Sequence, residues 1–515
     1  MPASILAFLD EPKYELVDQV EIVVTETTVK EDAPENGNGD APNDTEQIIA
    51  EEIDVQETLA LKKTSVSAWK TLLLGVPNPR SLVLTATTVL INAIFVAMVA
   101  DRLYRERYYT AEDLSFVRVG YVSDTEAKLL VREPDQSKMP VTFQVRIKDP
   151  KPPFDNTLWQ TAGGIRWTAN DTDYTAVLTI PLRHNKPRTY LWTSSNNHSG
   201  EFTSPPKIGH VFDSGNFTFL STSCVVNRLP YNPLDHPLSI SGMRHLGNLL
   251  PSLGAQFMLF LGDFIYADVP RWWGKEAEDY RRKYRQVYAA PEWQSVGQNL
   301  SWIHTLDDHE ILNDWAANTT GVYHNAVDPW HHYHTAANPP QAKKAGTQAA
   351  RSGATYFEFS QGPASFFLLD TRTYRSSNSL PFNSIDKTML GEDQLEDLIA
   401  YLGRPEPKNV KWKFIASSVP FTKNWPINTK DTWGGFLVER RQVLEAMWDA
   451  SARGYGVVVL SGDRHEFAAT QFPPPPESKW PASAVVYEFS ASPLSQFFGP
   501  VPTYRQTDNE DVMIK

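Results

Sequence analysis

Metal-capable side chains recur in this 515-residue chain from about residue 216 onward, each time after a short apolar run. Residues 261–266 read Leu-Gly-Asp-Phe-Ile-Tyr, and residues 461–465 read Ser-Gly-Asp-Arg-His. Carboxylates, imidazoles, phenols and thiols are ligands that hard and borderline cations accept. Two closely spaced cations can clamp a phosphate group and lower the pKa of a bound water. This set of residues therefore suits metal-assisted hydrolysis of a phosphate ester.

Five predicted strands position these groups. The strands cover residues 217–221, 257–261, 303–306, 366–369 and 457–460, and they run into Cys224, Asp263, the block 307–310, the block 370–372 and the block 463–465. In open α/β sheets, sites are built at this carboxyl edge of the strands. Each group alone has an ordinary alternative, such as a turn, a helix N-cap or a local ion pair. Five such groups at equivalent strand ends favour one shared site.

The first 110 residues carry two different signals. Residues 1–66 are acidic and aperiodic, which predicts a disordered tail. Residues 67–110 are predicted to form a membrane-anchor region, because the run 81–100 has no charged residue. As a helix, that run would measure about 30 Å, the thickness of a bilayer core. The alternative for this run is a long buried core helix.

Two folded domains are predicted after the anchor. Residues 111–210 alternate apolar and polar positions in several short runs, which predicts an all-β domain, a sandwich of the immunoglobulin or fibronectin type. Residues 211–515 alternate predicted strands with helices, which is an α/β pattern.

The composition and the sequence motifs limit which binding partners and which cellular location we expect for the protein. The net charge of −13 argues against nucleic acid as a partner. The single cysteine excludes an intramolecular disulfide. We expect a single-pass membrane protein whose C-terminal part is lumenal or extracellular. That orientation rests on the Asn-x-Ser/Thr triplets at Asn170, Asn197, Asn216, Asn299 and Asn318.

The order of the blocks resembles the calcineurin-like metallophosphoesterase plan, and the details resemble the alkaline phosphatase D (PhoD-like) family. The resemblance covers roughly residues 115 to 500. The blocks that carry it are Ser223-Cys224, residues 262–266, Asp307-Asp308-His309-Glu310 followed by Asn313, residues 369–375 and Gly462-Asp463-Arg464-His465. The resemblance implies a calcineurin-like sandwich for residues 211–515.

The resemblance also implies a centre of Fe³⁺ and Ca²⁺, with other divalent metals as possible occupants. The implied metal ligands are Cys224, Asp263, Tyr266, Asp308, Asn313, Asp463 and His465. Asp263 would bridge the cations, and Asp308 or Asn313 would bind the second one. His309 is the implied general acid. Arg372 or Arg375 would hold the phosphate, and the sequence leaves the choice between them open.

Two hypotheses follow for the function. The first is a membrane-anchored phosphomonoesterase or phosphodiesterase that acts on a small phosphate ester, with metal-bound hydroxide as the nucleophile. The second is a non-catalytic, membrane-anchored interaction protein that retains a phosphatase fold. The second hypothesis is motivated by the family's further β-structure after residues 492–494, whereas this chain stops at Lys515, which predicts that the last strands are missing.

Overall fold

A computed structural model describes residues 14–26, 51–63 and 67–514, apart from 77, 79–80, 154, 184–185, 270–273, 498 and 500. The chain divides into two units, Met1–Asp101 and Arg102–Lys515. Each unit is described by itself.

Two long strands lie in the region predicted to be a disordered tail. Strand β1 (Tyr14–Glu26) pairs antiparallel with β2 (Glu51–Lys63), with Tyr14 opposite Lys63. The prediction of disorder does not hold over these two strands. A physical reason is the run of β-branched residues at 22–25, Ile-Val-Val-Thr, which favours an extended backbone. The rest of residues 1–66 lies outside the described part of the chain.

Two helices complete the first unit. Helix α1 (Ala68–Leu74) begins after Ser67 and ends at Gly75, whose φ of 72° satisfies the left-handed cap. Helix α2 (Leu82–Tyr104) contains the predicted apolar run and extends four residues beyond it. The hydroxyl of Thr88 donates to the carbonyl of Thr71 at 2.8 Å, which ties the two helices together. By length and composition, α2 could cross a membrane.

The next seven strands form two antiparallel sheets. They are β3 (Phe116–Val122), β4 (Glu126–Arg132), β5 (Val141–Ile147), β6 (Gln160–Ile165), β7 (Thr175–Pro181), β8 (Thr189–Ser194) and β9 (Ser199–Thr203). The sheet orders are β3-β4-β7 and β6-β5-β8-β9. Alternate residues of β5 are buried, and they meet the inner residues of β3 and β4 in one apolar core. These residues therefore form two antiparallel sheets around one apolar core, and the immunoglobulin or fibronectin type of that structure stays a prediction.

The predicted boundary near residue 210 does not separate two compact units. All seven residues of β3 are buried, because Val117 and Val119 face the β core while Phe116 faces the helices of the following region. The guanidinium of Arg118 donates to the carbonyls of Trp302 (3.2 Å) and Tyr333 (2.7 Å). This interface joins the β sheets to the α/β part of the same unit.

The α/β part contains eleven strands and six α-helices among the described residues. In chain order they are β10 (Leu220–Val225), α3 (Ser241–Leu253), β11 (Phe257–Phe260), α4 (Ala277–Tyr288), α5 (Trp293–Gly297), β12 (Ser301–His304), α6 (Tyr323–Tyr333), β13 (Phe357–Gln361), β14 (Ala364–Leu368), α7 (Gly391–Gly403), β15 (Trp412–Ala416), α8 (Leu437–Ala452), β16 (Gly456–Ser461), β17 (Ala468–Phe472), β18 (Val486–Ser490), β19 (Pro493–Ser495) and β20 (Val512–Met513).

These strands form two sheets that pack face to face. The first, β12-β11-β10-β19, is parallel throughout, and the second, β13-β14-β15-β16-β18-β17-β20, is mixed. Period-two alternation explains the layers. Phe257 and Leu259 enter an aromatic core between the sheets, whereas Met258 and Phe260 enter the core under α3 to α6. Helices α7 and α8 cover the outer face of the second sheet. The result is a helix–sheet–sheet–helix sandwich, in agreement with the predicted α/β class.

The C-terminal residues contribute to both sheets. Strand β19 pairs with β10, with Pro493 opposite Ser223, and β20 pairs with β17 in the second sheet. The sequence predicted that the last strands of the fold are missing. The structure has two strands after residue 492, β19 and β20.

Candidate metal centre

The carboxyl ends of β10, β11, β12 and β16 meet at one edge of the sandwich. Cys224 lies near the end of β10, and Asp263, Asp308 and Asp463 follow the other three strands. The backbone is left-handed at Cys224 (φ 57°), Asp263 (φ 59°), Asp463 (φ 72°) and His465 (φ 57°). A positive φ is unfavourable for residues other than glycine, and such strain concentrates at functional sites. The chain therefore turns sharply at four of the predicted ligands.

One half of the centre combines a thiol, a phenol and an imidazole around Asp263. The thiol of Cys224 donates to Asp263 Oδ2 at 3.3 Å, and the hydroxyl of Tyr266 donates to the same oxygen at 3.0 Å. The Tyr266 hydroxyl lies 3.3 Å from Nε2 of His465. One ligand atom each from Cys224, Asp263 and His465 lies within 4.8 Å of the others. These four side chains can surround a single cation.

The other half is built from carboxylates alone. Oxygen atoms of Asp263, Asp307, Asp308 and Asp463 lie within 4.8 Å of one another. Asp263 thus belongs to both halves, which is the geometry that the predicted bridging role requires. The structure brings together six of the seven predicted metal ligands, Cys224, Asp263, Tyr266, Asp308, Asp463 and His465, and it groups the predicted general acid His309 with Asp263 and Asp308.

The carboxylate half gathers several buried acidic groups, and a bound cation would neutralise their negative charge. Burial raises the pKa of Asp463 to about 7 and the pKa of Asp307 to about 6. Burial also raises the pKa of Asp263 well above its usual range. Among the described residues, Asp307 Oδ2 and Asp308 Oδ1 are buried without a hydrogen-bond partner. Because an unsatisfied buried polar atom is costly, these oxygen atoms fit the binding of a cation.

The thiol and the phenol fit the same interpretation. Burial, followed by the negative charge of Asp263, raises the pKa of Cys224 and that of Tyr266. Without a cation, both groups therefore keep their protons. A highly charged cation inverts this preference and favours the thiolate and the phenolate.

His309 lies beside the metal centre, and its surroundings favour the protonated imidazole. Its Nδ1 donates to Asp268 Oδ1 at 2.7 Å, and its ring lies 4.0 Å from the ring of Tyr266. Burial lowers the pKa of His309. The charges of Asp308 and Asp263 and the hydrogen bond to Asp268 together raise it by more, so the pKa lies well above its usual value. The side chain is 15% exposed, so substrate can reach it.

Arg372 and Arg375 are fully buried in ion pairs. Arg372 donates to Asp307 Oδ1 at 2.6 Å and to Asp431 Oδ1 at 2.8 Å, and its Nη2 lies 3.6 Å from Asp308 Oδ1. Arg375 donates to the same oxygen of Asp431 at 2.8 Å. Both side chains have zero exposure. The sequence predicted that one of these two arginines holds the phosphate. Either of them would have to break its ion pairs to do so.

Asn313 differs from the other predicted ligands in its exposure, since those are buried or half-buried. It is exposed, and its backbone N–H donates to Asp268 Oδ2 at 2.9 Å. The neighbouring Asp314 instead groups its carboxylate with those of Asp308 and Asp431. Asn428 donates to Asp314 Oδ1 at 2.8 Å and fixes its orientation.

Sequence reasoning missed three carboxylates that organise the centre. Glu310 accepts from the backbone N–H groups of Asp263 (3.0 Å) and Asp307 (2.8 Å), and so clamps two ligand loops together. Asp268 orients His309. Asp431 lies in a short turn and joins the two arginines. Glu310 and Asp268 could have been found by their position beside predicted ligands, but no local signal distinguishes Asp431.

Together, the layered sheets and the side chains at their edge define an α/β protein with two adjoining groups of residues that could hold metal ions. The model of the family described as PhoD-like phosphatase matches residues 239–514, and the chain belongs to that family. The predicted membership is thereby confirmed. The match includes every predicted site residue except Cys224.

Individual relatives agree with this assignment. Over 241 residues the chain is 26% identical to "Alkaline phosphatase D" of Bacillus subtilis (strain 168), and the alignment covers 40% of this chain and 40% of that protein. The chain thus spans about 40% of the length of the curated relative that it matches. A solved structure titled "Structure of PhoD" has the same fold, with a TM-score of 0.54 and 19% identity over 75% of this chain and 77% of the other.

Proposed function

We propose that the protein hydrolyses phosphate esters with bound metal ions, as a phosphomonoesterase or a phosphodiesterase. The observation that carries the proposal is the shared position of Asp263, between a thiol–phenol–imidazole cluster and a carboxylate cluster that contains two unpartnered oxygen atoms. Two cation positions joined by one carboxylate suit the clamping of a phosphate. Family membership and the curated relative's name support the same activity.

The two halves suit different cations. Cys224, Tyr266 and His465, together with Asp263, would hold Fe³⁺, because a phenolate and a thiolate stabilise its high charge. The all-oxygen half suits Ca²⁺, which prefers carboxylates. Its proposed ligands are Asp263, Asp308 and Asp463, with Asn313 as a further candidate. When bound, the cations would neutralise phosphate charge and make water acidic enough to supply hydroxide as the nucleophile.

The remaining steps belong to side chains of this chain. His309 would donate its proton to the departing alkoxide oxygen, while Asp268 holds the ring in orientation through Nδ1. For Arg372 we propose that it balances the charge of Asp307 and Asp308, because it already contacts both carboxylates. Arg375 would support this arrangement through Asp431, so a direct phosphate contact by either arginine is the less favoured role.

We further propose that α2 spans a membrane and that residues 102–515 are lumenal or extracellular. Large apolar side chains of α2, such as Leu82 (81%) and Phe95 (58%), are exposed, which suits contact with lipid. All five asparagines of the Asn-x-Ser/Thr triplets are exposed, as glycosylation requires. A mobility shift on glycosidase treatment of the membrane-bound protein would support this orientation, and its absence together with labelling by a cytosolic probe would contradict it.

Elemental analysis combined with a hydrolysis assay tests the function. The purified full-length chain should contain tightly held iron and calcium, and it should hydrolyse p-nitrophenyl phosphate. Tyr266→Phe should lose the visible absorption band of an iron–phenolate bond, whereas Tyr104→Phe, which changes a half-exposed tyrosine outside the centre, should retain it. A protein with no bound metal and no hydrolysis would overturn the proposal. Bound metal without hydrolysis of any phosphate ester would favour the non-catalytic alternative.

A further inference from the structure

A small cavity connects the end of the apolar helix with the metal centre. Its volume is about 180 Å³, and its walls include Leu103, Glu106, Tyr266 and Val269. Leu103 lies three residues after Ala100, the last residue of the uncharged run. Residues of the membrane-proximal segment therefore share a cavity with a proposed iron ligand.

The membrane-proximal segment, residues 102–110, is held against α4 by hydrogen bonds and an ion pair. Lys283 donates to the carboxylate of Glu106 at 2.9 Å, and both side chains are 10% exposed. Gln286 donates to the carbonyls of Glu106 (2.9 Å) and Tyr109 (3.0 Å). Because these bonds hold the backbone itself, the position of residues 102–110 relative to the metal centre is set within one unit.

Leu103 and Val269 line this cavity, and further exposed apolar side chains lie beside the proposed ligands His465 and Asp463. Phe497 packs its ring edge-on against His465 and is 62% exposed. Ile427, 62% exposed, accepts from Arg464 beside the ligand Asp463. Phe467 follows His465 by two residues, and Val269 follows Asp268 directly. We name Leu103, Val269, Ile427, Phe467 and Phe497 the apolar rim. Single exposed apolar residues are ordinary, but five around one polar centre indicate an interaction site.

We infer that the apolar rim contacts the surface of the bilayer that holds α2, and that the substrate is the phosphate ester of a membrane lipid whose headgroup enters the metal centre from that surface. This inference rests on the proposed function. Covalent connectivity from Ala100 to Leu103 keeps the rim close to the bilayer. The acyl chains would stay in the membrane, so only the charged headgroup has to reach His309 and the metals. Apolar side chains at the interface would supply the binding free energy.

Proteoliposomes test the inference with the full-length chain. The chain is reconstituted in phosphatidylcholine vesicles that contain a minor fraction of phosphatidic acid, and phosphate release is compared with that from soluble p-nitrophenyl phosphate. A second preparation carries the phosphatidic acid in separate vesicles. Hydrolysis of the lipid in the same vesicle should clearly exceed hydrolysis in separate vesicles.

Rim variants give the second readout. Ile427→Ser and Phe467→Ser should each lower the ratio of lipid to aryl phosphate hydrolysis about ten-fold, which corresponds to the loss of one interfacial apolar side chain. Leu158→Ser, a matched control at a 70% exposed leucine in the segment between β5 and β6, should leave the ratio unchanged.

The outcomes separate the two proposals. Hydrolysis of aryl phosphate without hydrolysis of the lipid in the same vesicle overturns this inference and leaves the proposed function standing. The same holds if the rim variants keep the wild-type ratio, which would assign the rim to a protein partner or a second copy of the chain. Hydrolysis of neither substrate overturns the proposed function and this inference with it.

Discussion

Two buried carboxylate centres in the unit 102–515 satisfy their charge in opposite ways. Asp173 receives hydrogen bonds from Arg132 (2.9 Å), from Arg285 (3.0 Å to each oxygen) and from Tyr333 (2.5 Å). At the metal centre, Asp307 and Asp308 each keep one buried oxygen atom without a partner. Residue type and burial are the same, so neither distinguishes a structural carboxylate from a ligand. The distinguishing property is whether every oxygen atom of the carboxylate has a hydrogen-bond partner among the described residues, since Asp307 and Asp308 keep an unpartnered oxygen although Arg372 lies beside both.

The largest effect should come from Asp263→Asn, because this carboxylate belongs to both halves of the metal centre. We expect bound metal to be lost and kcat to fall on the order of 10³-fold or more. Elemental analysis and aryl phosphate hydrolysis measure the two effects. In the presence of a chelator the variant should be at least as stable as the wild type, since it removes a buried repulsive charge. Retention of metal and activity would contradict the assignment.

Asp173→Asn should have the opposite profile. It removes the buried negative charge that pairs with Arg132 and Arg285, so the free energy of unfolding should fall by about 3–5 kcal/mol. The folded fraction should keep its full metal content. As a control, Glu201→Gln breaks the exposed pair with Lys148, and this change should cost about 0–1 kcal/mol. Metal loss in folded Asp173→Asn would remove the contrast between the two centres.

His309→Ala should separate proton donation from metal binding. Hydrolysis of an alkyl phosphate should fall about 10²-fold or more, because the alkoxide leaves without a proton. The loss should be smaller with p-nitrophenyl phosphate, whose leaving group is stable as an anion. Asp268→Asn should show the same substrate dependence with a smaller loss, since it removes only the orienting hydrogen bond. An equal loss on both substrates would exclude His309 as the general acid.

Removal of the metals should make the stability of the protein depend on pH through the carboxylates of the metal centre. Burial raises the pKa of Asp307 to about 6 and of Asp463 to about 7, above the ordinary value of an aspartate. The stability that the two protonated carboxyls contribute is therefore complete below about pH 4 and is lost as the pH rises through 6 and 7. Thermal unfolding with a chelator should show this decline, and added metal should abolish it. A chelated protein equally stable at pH 5 and pH 8 would contradict the prediction.

The smallest effect should come from Asn313→Ala. Its backbone, not its side chain, makes the contact with Asp268, so activity should stay within about two-fold of wild type. Asp314→Ala should be more harmful, because that carboxylate faces Asp308. The reverse order would restore Asn313 as a ligand of the second metal.

The sequence was sufficient for the parts of the centre that follow strands. Parallel strands share a carboxyl edge, so Cys224, Asp263, Asp308 and Asp463 could be brought together from local patterns. The α/β class and the antiparallel β sheets could be predicted because strands and helices leave different periodic patterns of apolar residues in the sequence. Tyr266 and the imidazole of His465 were added by the resemblance to a family.

Long-range polar pairing was not readable from the sequence. Asp431 reaches Arg372 across 59 residues, and Asp173 reaches Arg285 across 112 residues. No local pattern marks either contact, because both depend on how separate elements pack. The same limit hid the burial of β3 on both faces, which joined two predicted domains in one unit. It also hid the pairing of β1 with β2, since residues 31–40 between them are acidic and rich in glycine.

The pairing of β19 with β10 has a consequence for biosynthesis. Strand β10 carries the only cysteine, and its Thr222 bonds to Ser492, 270 residues later in the chain. A ribosome must therefore synthesise about 270 further residues before the strand beside the thiol has its neighbour. Partly synthesised chains would lack the finished thiol–phenol–imidazole pocket, so a cation that binds there is expected to enter after this part of the chain has been made. In a cell, the supply of metal would then act on completed molecules and would leave nascent ones unloaded.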